Sequence, residues 1–246
     1  MNLKIYLLFI LVVLANGLQA QIAPRFVDTD SLVVPGAVDV EGQWVDLNAD
    51  GQFDFLSVVE DSLGITHPLF ITVDSFELKL DTLKINDFEH HKIKIADLDN
   101  NNRQDIIALT AGDAIILSVF YQIDSLEFER VDLDSSMIDD VEILDLNRDG
   151  FRDAVFYGME QDSSFLKMKL NKGAREWEAT TEIDSLSHGK ISLLKALDYD
   201  NNGEQDLLIS SDSATFTRTE IWLNTDAEFS LSSDSLPVLR NANASF

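Results

Sequence analysis

The sequence predicts an all-β protein built from four similar units. Three observations predict it: an acidic nine-residue loop occurs four times, a short apolar segment follows each copy, and no segment has helical periodicity. The loops span residues 46–54, 97–105, 145–153 and 198–206, so their first positions fall 51, 48 and 53 residues apart. A repeat of about 50 residues is typical of propeller blades and solenoids.

The loops carry oxygen-bearing side chains at positions 1, 3, 5 and 9. In the third copy these are Asp145, Asn147, Asp149 and Asp153, with Gly150 at position 6. Odd positions of a tight loop can turn toward one point, and a calcium ion takes about 6–8 oxygen ligands. Glycine at position 6 permits the left-handed turn that returns position 9 to that point. In the second copy this position is Asn102, and asparagine is the next most suitable residue.

The spacing therefore predicts one calcium ion per loop, about four in all, bound by the four side chains and the carbonyl of position 7. The predicted ligands are Asp46, Asn48, Asp50, Gln52 and Asp54; Asp97, Asp99, Asn101, Arg103 and Asp105; Asp145, Asn147, Asp149, Phe151 and Asp153; and Asp198, Asp200, Asn202, Glu204 and Asp206. A single copy would be typical of any polar turn. Four copies in phase favour calcium, since magnesium needs a smaller octahedral shell that keeps more water.

The residues after each loop separate it from an EF-hand. An EF-hand loop has a bidentate Glu at position 12, whereas this position is Ser57, Ala108, Phe156 or Ile209. Position 9 leads directly into apolar runs, which predict buried strands at 55–58, 106–109, 154–157 and 207–209. The pattern D-x-[DN]-x-[DN]-G-x-x-D before a strand resembles the FG-GAP/VCBS repeat family over about residues 22–246. The resemblance implies a calcium-binding β-propeller, as in integrin α-subunit heads, and implies little about function.

Each repeat contains further strand-like segments. One lies in the middle of the repeat, at 69–73, 115–120, 165–170 and 219–224. Another carries an aromatic residue 17–21 residues before the next loop, namely Phe26, Phe76, Phe128 or Trp177. Three or four strands per unit correspond to a propeller blade, so residues 21–246 are predicted to form about four blades.

The spacing also predicts a larger ring. The same interval counted from Phe229 places another loop start at 246–250, so we expect these blades to belong to a larger ring, such as the seven-bladed rings that the resemblance implies. The alternative is a closed ring of four blades, in which the strand near Phe26 pairs beside the strand near Phe229.

Residues 1–20 have the pattern of a signal peptide. Lys4 precedes an apolar run over 5–15, and the small residue Ala20 precedes Gln21, with an alternative cut near Gly17. Eleven apolar residues are too few to span a bilayer permanently, although a retained membrane anchor is the alternative. We therefore expect a secreted or cell-surface protein, or a periplasmic one, with no membrane span in the mature chain.

Composition excludes several kinds of function. The chain has 18 basic and 44 acidic residues, a net charge of −26, which argues against nucleic acid or an anionic membrane as partner. It has no cysteine, so disulfides, thiolate zinc sites and cysteine nucleophiles are excluded. The four histidines form no metal-hydrolase motif, and no nucleophile elbow occurs. Trp44, Trp177 and Trp222 could stack on sugar rings, but core packing explains them more simply.

These observations identify no catalytic residue and no cofactor-binding residue apart from the calcium ligands. We expect a secreted, non-catalytic calcium-binding propeller module that mediates binding or adhesion to a protein or a glycan. The alternative is the propeller portion of an extracellular hydrolase or lyase that acts on polysaccharide.

Overall fold

The computed structural model describes residues 39–60, 66–74, 77–81, 93–110, 115–160, 163–186, 189–213, 216–233 and 239–240. The predicted signal peptide, the predicted strand near Phe26, the aromatic residue Phe76 and the chain after Arg240 lie outside these residues.

Every regular element of the described chain is a β-strand. The strands are β1 Asp39–Val45, β2 Asp54–Glu60, β3 Thr66–Asp74, β4 Glu77–Asp81, β5 Ile93–Ala96, β6 Asp105–Thr110, β7 Ile116–Asp124, β8 Glu127–Asp134, β9 Ile138–Leu144, β10 Asp153–Glu160, β11 Ser163–Lys169, β12 Thr181–Leu186, β13 Lys190–Leu197, β14 Asp206–Asp212, β15 Phe216–Thr225, β16 Glu228–Leu231 and β17 Leu239–Arg240. The predicted strands after the loops and in the middle of each repeat are confirmed, with bounds that differ by a few residues.

The strands form four antiparallel sheets, each in simple chain order: β1 to β4, β5 to β8, β9 to β12, and β13 to β16. The first strands of consecutive sheets contact one another, β1 with β5, β5 with β9, and β9 with β13, so these are the inner strands. Four such sheets in a ring are the arrangement of a four-bladed β-propeller, which confirms the predicted fold class. Membership of a larger ring stays a prediction.

The fourth blade has an outer edge in two pieces. β16 pairs with one end of β15, at Trp222 to Thr225, and β17 pairs with the other end, at Phe216 and Thr217. The outer strands β4, β8 and β12 of the other blades are each continuous.

The hydrophobic core lies between neighbouring blades, in three clusters. Leu56 and Phe70 of the first blade pack with Ile106 and Phe120 of the second. The clusters between later blades are built in the same way, around Tyr121 and Phe156 and around Val155 and Leu207. Central strands have neighbours on both faces, and β7 is buried from Leu117 to Gln122, as its apolar run predicts.

The tryptophans differ in their packing. Trp177 and Trp222 are partly buried against the core clusters, as expected. Trp44 does not follow this expectation, because 46% of it is exposed. It stands in β1 opposite Phe55, with the two ring centroids 5.1 Å apart. Gln43 and Val45, its neighbours in β1, instead lie on the face that meets the second blade.

Candidate metal centres

The four predicted loops occupy the same place in each blade, between its first and second strands. Each loop has left-handed backbone at position 6, where φ is +83° at Gly51, +64° at Asn102, +88° at Gly150 and +84° at Gly203. This confirms the role predicted for Gly and Asn there. Position 4 is left-handed too, at Ala49, Asn100, Arg148 and Asn201, with φ between 56° and 59°. The sequence did not reveal this second turn, because these four residues share no chemistry.

The first aspartate of each loop closes the turn. A carboxylate oxygen accepts the N–H of position 6 in every copy, at 2.9 Å from Asp46, 2.8 Å from Asp97, 3.1 Å from Asp145 and 3.0 Å from Asp198. The side chain of position 5 accepts the N–H of position 7, at 2.6–2.8 Å. The loop is therefore curled around its own oxygen-bearing side chains.

The aspartate at position 9 is fully buried in all four loops: Asp54, Asp105, Asp153 and Asp206. In the last three, one oxygen accepts the N–H of loop position 2, and the other accepts an N–H at the end of the blade's third strand, all at 2.8 Å. The carboxylate thus joins the loop to its own blade. Each oxygen still has a lone pair, since a carboxylate offers about four acceptor sites.

Burial raises the pKa of two of these carboxylates. Loss of hydration raises the pKa of Asp105 to about 6, although two backbone N–H bonds oppose the shift. The nearby carboxylates of Asp99 and Asp97 raise this pKa further. The same causes raise the pKa of Asp153 to about 6. A bound cation would offset both effects, because it stabilises the charged form.

Three carboxylates converge in two of the loops. Oxygens of Asp97, Asp99 and Asp105 lie within 4.8 Å of one another, as do those of Asp198, Asp200 and Asp206. Two oxygens on one calcium ion lie at most about 5 Å apart, because each stands about 2.3–2.6 Å from the ion. These two groups fit that limit.

The first and third loops have an asparagine at position 3 instead. Its amide donates to the carboxylate of position 5, at 3.1 Å from Asn48 to Asp50 and 3.0 Å from Asn147 to Asp149. Each of these loops therefore holds its side chains together with one internal hydrogen bond. The amide oxygen is itself a suitable calcium ligand.

Within the loops of the described structure, Oδ1 of Asp145 and Oδ1 of Asp99 are buried and have no hydrogen-bond donor. A buried anionic oxygen without a partner is costly, and a cation satisfies it. The donor set is entirely hard oxygen, which suits calcium better than a transition metal. The residues present therefore fit the predicted ion.

The second loop has a cationic neighbour that the sequence did not indicate. Arg175, in the third blade, donates from Nε to Asp99 Oδ2 at 2.9 Å and from Nη1 to Glu129 at 2.7 Å. Its guanidinium lies 4.9 Å from the centre of the Tyr121 ring. This loop thus has one of its three aspartate charges already compensated by protein.

Side-chain amides link the first three loops to the next blade. Gln122, Asn171 and Asn224 each donate to the position 2 carbonyl of the preceding loop, at Leu47 (2.6 Å), Leu98 (2.7 Å) and Leu146 (2.9 Å). We call these three residues the amide pins. By strand register, the equivalent position in the first blade is Val73, which carries no amide.

Position 4 of two loops also reaches the following loop. Asn100 Nδ2 donates to the carbonyl of Gly150 at 3.1 Å, and Arg148 Nη2 donates to the carbonyl of Asn202 at 2.8 Å. Together with the amide pins, these bonds join the second, third and fourth loops into one row. Each of these loops is therefore hydrogen-bonded directly to its neighbour.

No protein-family model matches the chain, and no curated protein matches it. The described residues contain no helix long and apolar enough to cross a membrane. The class of protein defined by fold and site is a four-bladed β-propeller with an acidic loop at the same edge of every blade.

Proposed function

We propose that this protein is an exported, non-catalytic calcium-binding β-propeller of the FG-GAP/VCBS type that binds another molecule. One observation carries the proposal: the same loop conformation occurs in all four blades, and in two of them three carboxylates converge within 4.8 Å. The partner is an extracellular protein or a glycan, since the charge of −26 disfavours nucleic acid.

Calcium would be held in each loop by the side chains of positions 1, 3, 5 and 9 and the carbonyl of position 7. The bound ion would supply the positive charge that the clustered carboxylates lack. The chain itself holds the loops in place. Position 9 binds each of the last three loops to its own blade, and the amide pins bind each of the first three loops to the next blade. The loops therefore form a rigid edge for binding. Such an edge places ligand contacts on rigid elements.

Export supports the choice of ion. The segment over residues 1–20 is proposed to be a cleaved signal peptide, and extracellular calcium modules work with dissociation constants of about 10⁻⁴–10⁻³ M. Without cysteine, the chain has no disulfides to stabilise it outside the cell. Bound ions would replace them.

The decisive experiment compares thermal unfolding in calcium with unfolding in a chelator, together with calorimetric titration of calcium. Each filled site should add about 1–3 kcal/mol when calcium is well above its dissociation constant, so chelation should lower Tm strongly. Magnesium at the same concentration is the control and should restore little of the loss. An unchanged Tm with no heat of calcium binding would contradict the proposal.

The second candidate, part of a polysaccharide-active hydrolase or lyase, is favoured by one observation, a polar cavity between the inner strands. Turnover assays on a panel of polysaccharides distinguish the candidates. Release of reducing ends or unsaturated products by the purified protein would favour the enzyme, and binding without turnover would favour the module.

A further inference from the structure

A cavity of about 580 Å³ lies between the inner strands of the first three blades and the second and third loops. It is lined by Gln43 of β1, Lys94 of β5, Glu142 of β9, and Asn100, Gln104 and Arg152 of the two loops. This volume lies within the range of about 300–1,000 Å³ that is usual for small-ligand sites.

The inner strands place the same position toward this cavity. Gln43, Lys94 and Glu142 pair with Leu56, Ile107 and Val155, each two residues after loop position 9. In the fourth blade the equivalent residue is Lys195, which pairs with Leu208. Lys94 Nζ lies 3.2 Å from Glu142 Oε2, and Lys195 contacts Oε1 of the same carboxylate. Two lysines thus share one glutamate, so one positive charge is left over.

A second positive charge comes from Arg152, at position 8 of the third loop. The side chain is exposed, and it forms no ion pair or hydrogen bond with any described residue. The cavity wall also holds the carboxylate of Asp97. With three cationic groups against two carboxylates, the site has a surplus of one positive charge in a chain of net charge −26. It favours an anionic ligand over a neutral one.

The remaining polar groups offer both hydrogen-bond donors and acceptors. The Gln104 amide makes no hydrogen bond within the described residues, so its donors and acceptor are available. Gln43 uses its NH₂ group on the Ile93 carbonyl at 2.8 Å, and Asn100 uses its NH₂ group on Gly150. Each therefore retains an amide oxygen as an acceptor for ligand hydroxyls.

We propose that this cavity binds a carboxylate-bearing saccharide, about one or two uronic acid residues long. The planar guanidinium of Arg152 suits a bidentate bond to a carboxylate. The amide groups of Gln43, Gln104 and Asn100 suit the alternating donors and acceptors of sugar hydroxyls. Ile95 and Ile143 give the cavity aliphatic walls against which a sugar ring can pack.

This inference rests on the proposed function, because Asp97 and Gly150 belong both to the cavity wall and to calcium loops. With calcium present, the charge of the adjacent carboxylates is offset, and the surplus cations dominate. The calcium proposal and the saccharide proposal can still be refuted separately, since calcium binding is measured without any saccharide.

The test is calorimetric titration of the calcium-loaded protein with digalacturonate, and with lactose as a neutral disaccharide. Digalacturonate should bind and lactose should not. Arg152→Gln should weaken binding about tenfold, because a charge-assisted bidentate bond is lost. Lys172→Gln removes the same charge from an exposed residue that pairs with Glu178 outside the cavity, and should change affinity less than about twofold.

A second pair of variants separates the contribution of the cavity to saccharide binding from that of the loops. Gln104 and Gln205 both occupy loop position 8, but only Gln104 lines the cavity. Gln104→Leu should weaken digalacturonate binding several-fold and Gln205→Leu should not, while both keep the wild-type Tm and calcium affinity. Absence of digalacturonate binding despite normal calcium binding would overturn the inference. Equal losses in the matched variants, or equal affinity for citrate, would do the same.

Discussion

The side-chain amide of Asn171 in the third blade donates a 2.7 Å hydrogen bond to the carbonyl of Leu98 in the second. Leu98 is position 2 of the second loop, and its own N–H bonds to the buried carboxylate of Asp105. The N–H of Asn171 bonds in turn to Asp153 of the third loop. These buried residues therefore form a continuous series of hydrogen bonds between the second and the third candidate calcium centre.

Replacing this pin should destabilise the fold. Asn171→Ala leaves the Leu98 carbonyl and the Gly173 N–H without their side-chain partners in a buried setting, since Asn171 is 1% exposed. Each buried group left unpaired costs about 1–3 kcal/mol, so urea denaturation should report a loss of about 2–6 kcal/mol for the two groups. The adjacent exposed Lys172→Ala should stay within about 0.5 kcal/mol. Equal losses in the two variants would remove the structural role from Asn171.

The sequence revealed the loops because the same residue types recur in them at fixed spacing. Asp at positions 1 and 9 and Gly or Asn at position 6 recur in all four loops, and position 6 has the predicted left-handed conformation in each. Position 4 escaped notice, since an Arg and an Ala adopt the left-handed turn there in two loops and an Asn in the other two. Tertiary context imposes this turn, not local preference.

The amide pins could have been predicted from the sequence. Gln122, Asn171 and Asn224 follow position 9 by 17, 18 and 18 residues, and each lies close to the end of the third strand of its blade. A recurring amide there indicates a backbone partner elsewhere. Arg175 is different, because it reaches Asp99 from another blade through a turn of its own, where φ is +65°. Contacts of this kind depend on how blades pack, which no local pattern encodes.

Removing one predicted ligand should remove one calcium ion. Asp145→Asn takes a charge from the third loop, where Asp145 Oδ1 is buried without a donor. Calorimetry should then report one calcium ion fewer than in the wild type, with a smaller rise in Tm on adding calcium. The matched control is Glu160→Gln, an exposed residue at the end of β10 that loses the same charge. Should both variants bind as much calcium as the wild type, the assignment of the third site would be wrong.

Two glycines of the third blade should respond differently to alanine. A Cβ at Gly158 would lie 1.8 Å from the carbonyl oxygen of Met137, at the irregularity where β10 leaves register with β9. The obstacle is backbone, so Gly158→Ala should cost about 3 kcal/mol or more. At Gly150 a Cβ would meet nothing within 4 Å, and only the left-handed φ of +88° opposes it.

Gly150→Ala should therefore cost only about 1–2 kcal/mol, the penalty of a left-handed non-glycine residue. Urea denaturation of both variants gives the comparison. The calcium requirement should persist in Gly150→Ala, because its ligands are unchanged. The reverse order of the two losses would contradict the packing described at Gly158.

Stability should depend on pH in opposite directions with and without calcium. Burial raises the pKa of Asp105 and of Asp153 to about 6, above the ordinary 3.8, with Asp97 and Asp99 adding to the first shift and Asp145 and Asp149 to the second. In calcium-free protein the fold thus favours the neutral carboxyl. This contribution is fully present below about pH 4 and is lost as the pH rises through about 6. In a chelator, the free energy of unfolding should therefore rise as the pH falls from about 7 to about 5.

In calcium the pH dependence of stability should reverse, because the ion binds only the ionised carboxylates and protons compete with it. The free energy of unfolding should then fall over the same pH interval. Urea denaturation at both pH values, in calcium and in chelator, gives the free energy of unfolding under four conditions. Parallel pH trends in the two buffers would show that neither buried aspartate takes part in binding calcium.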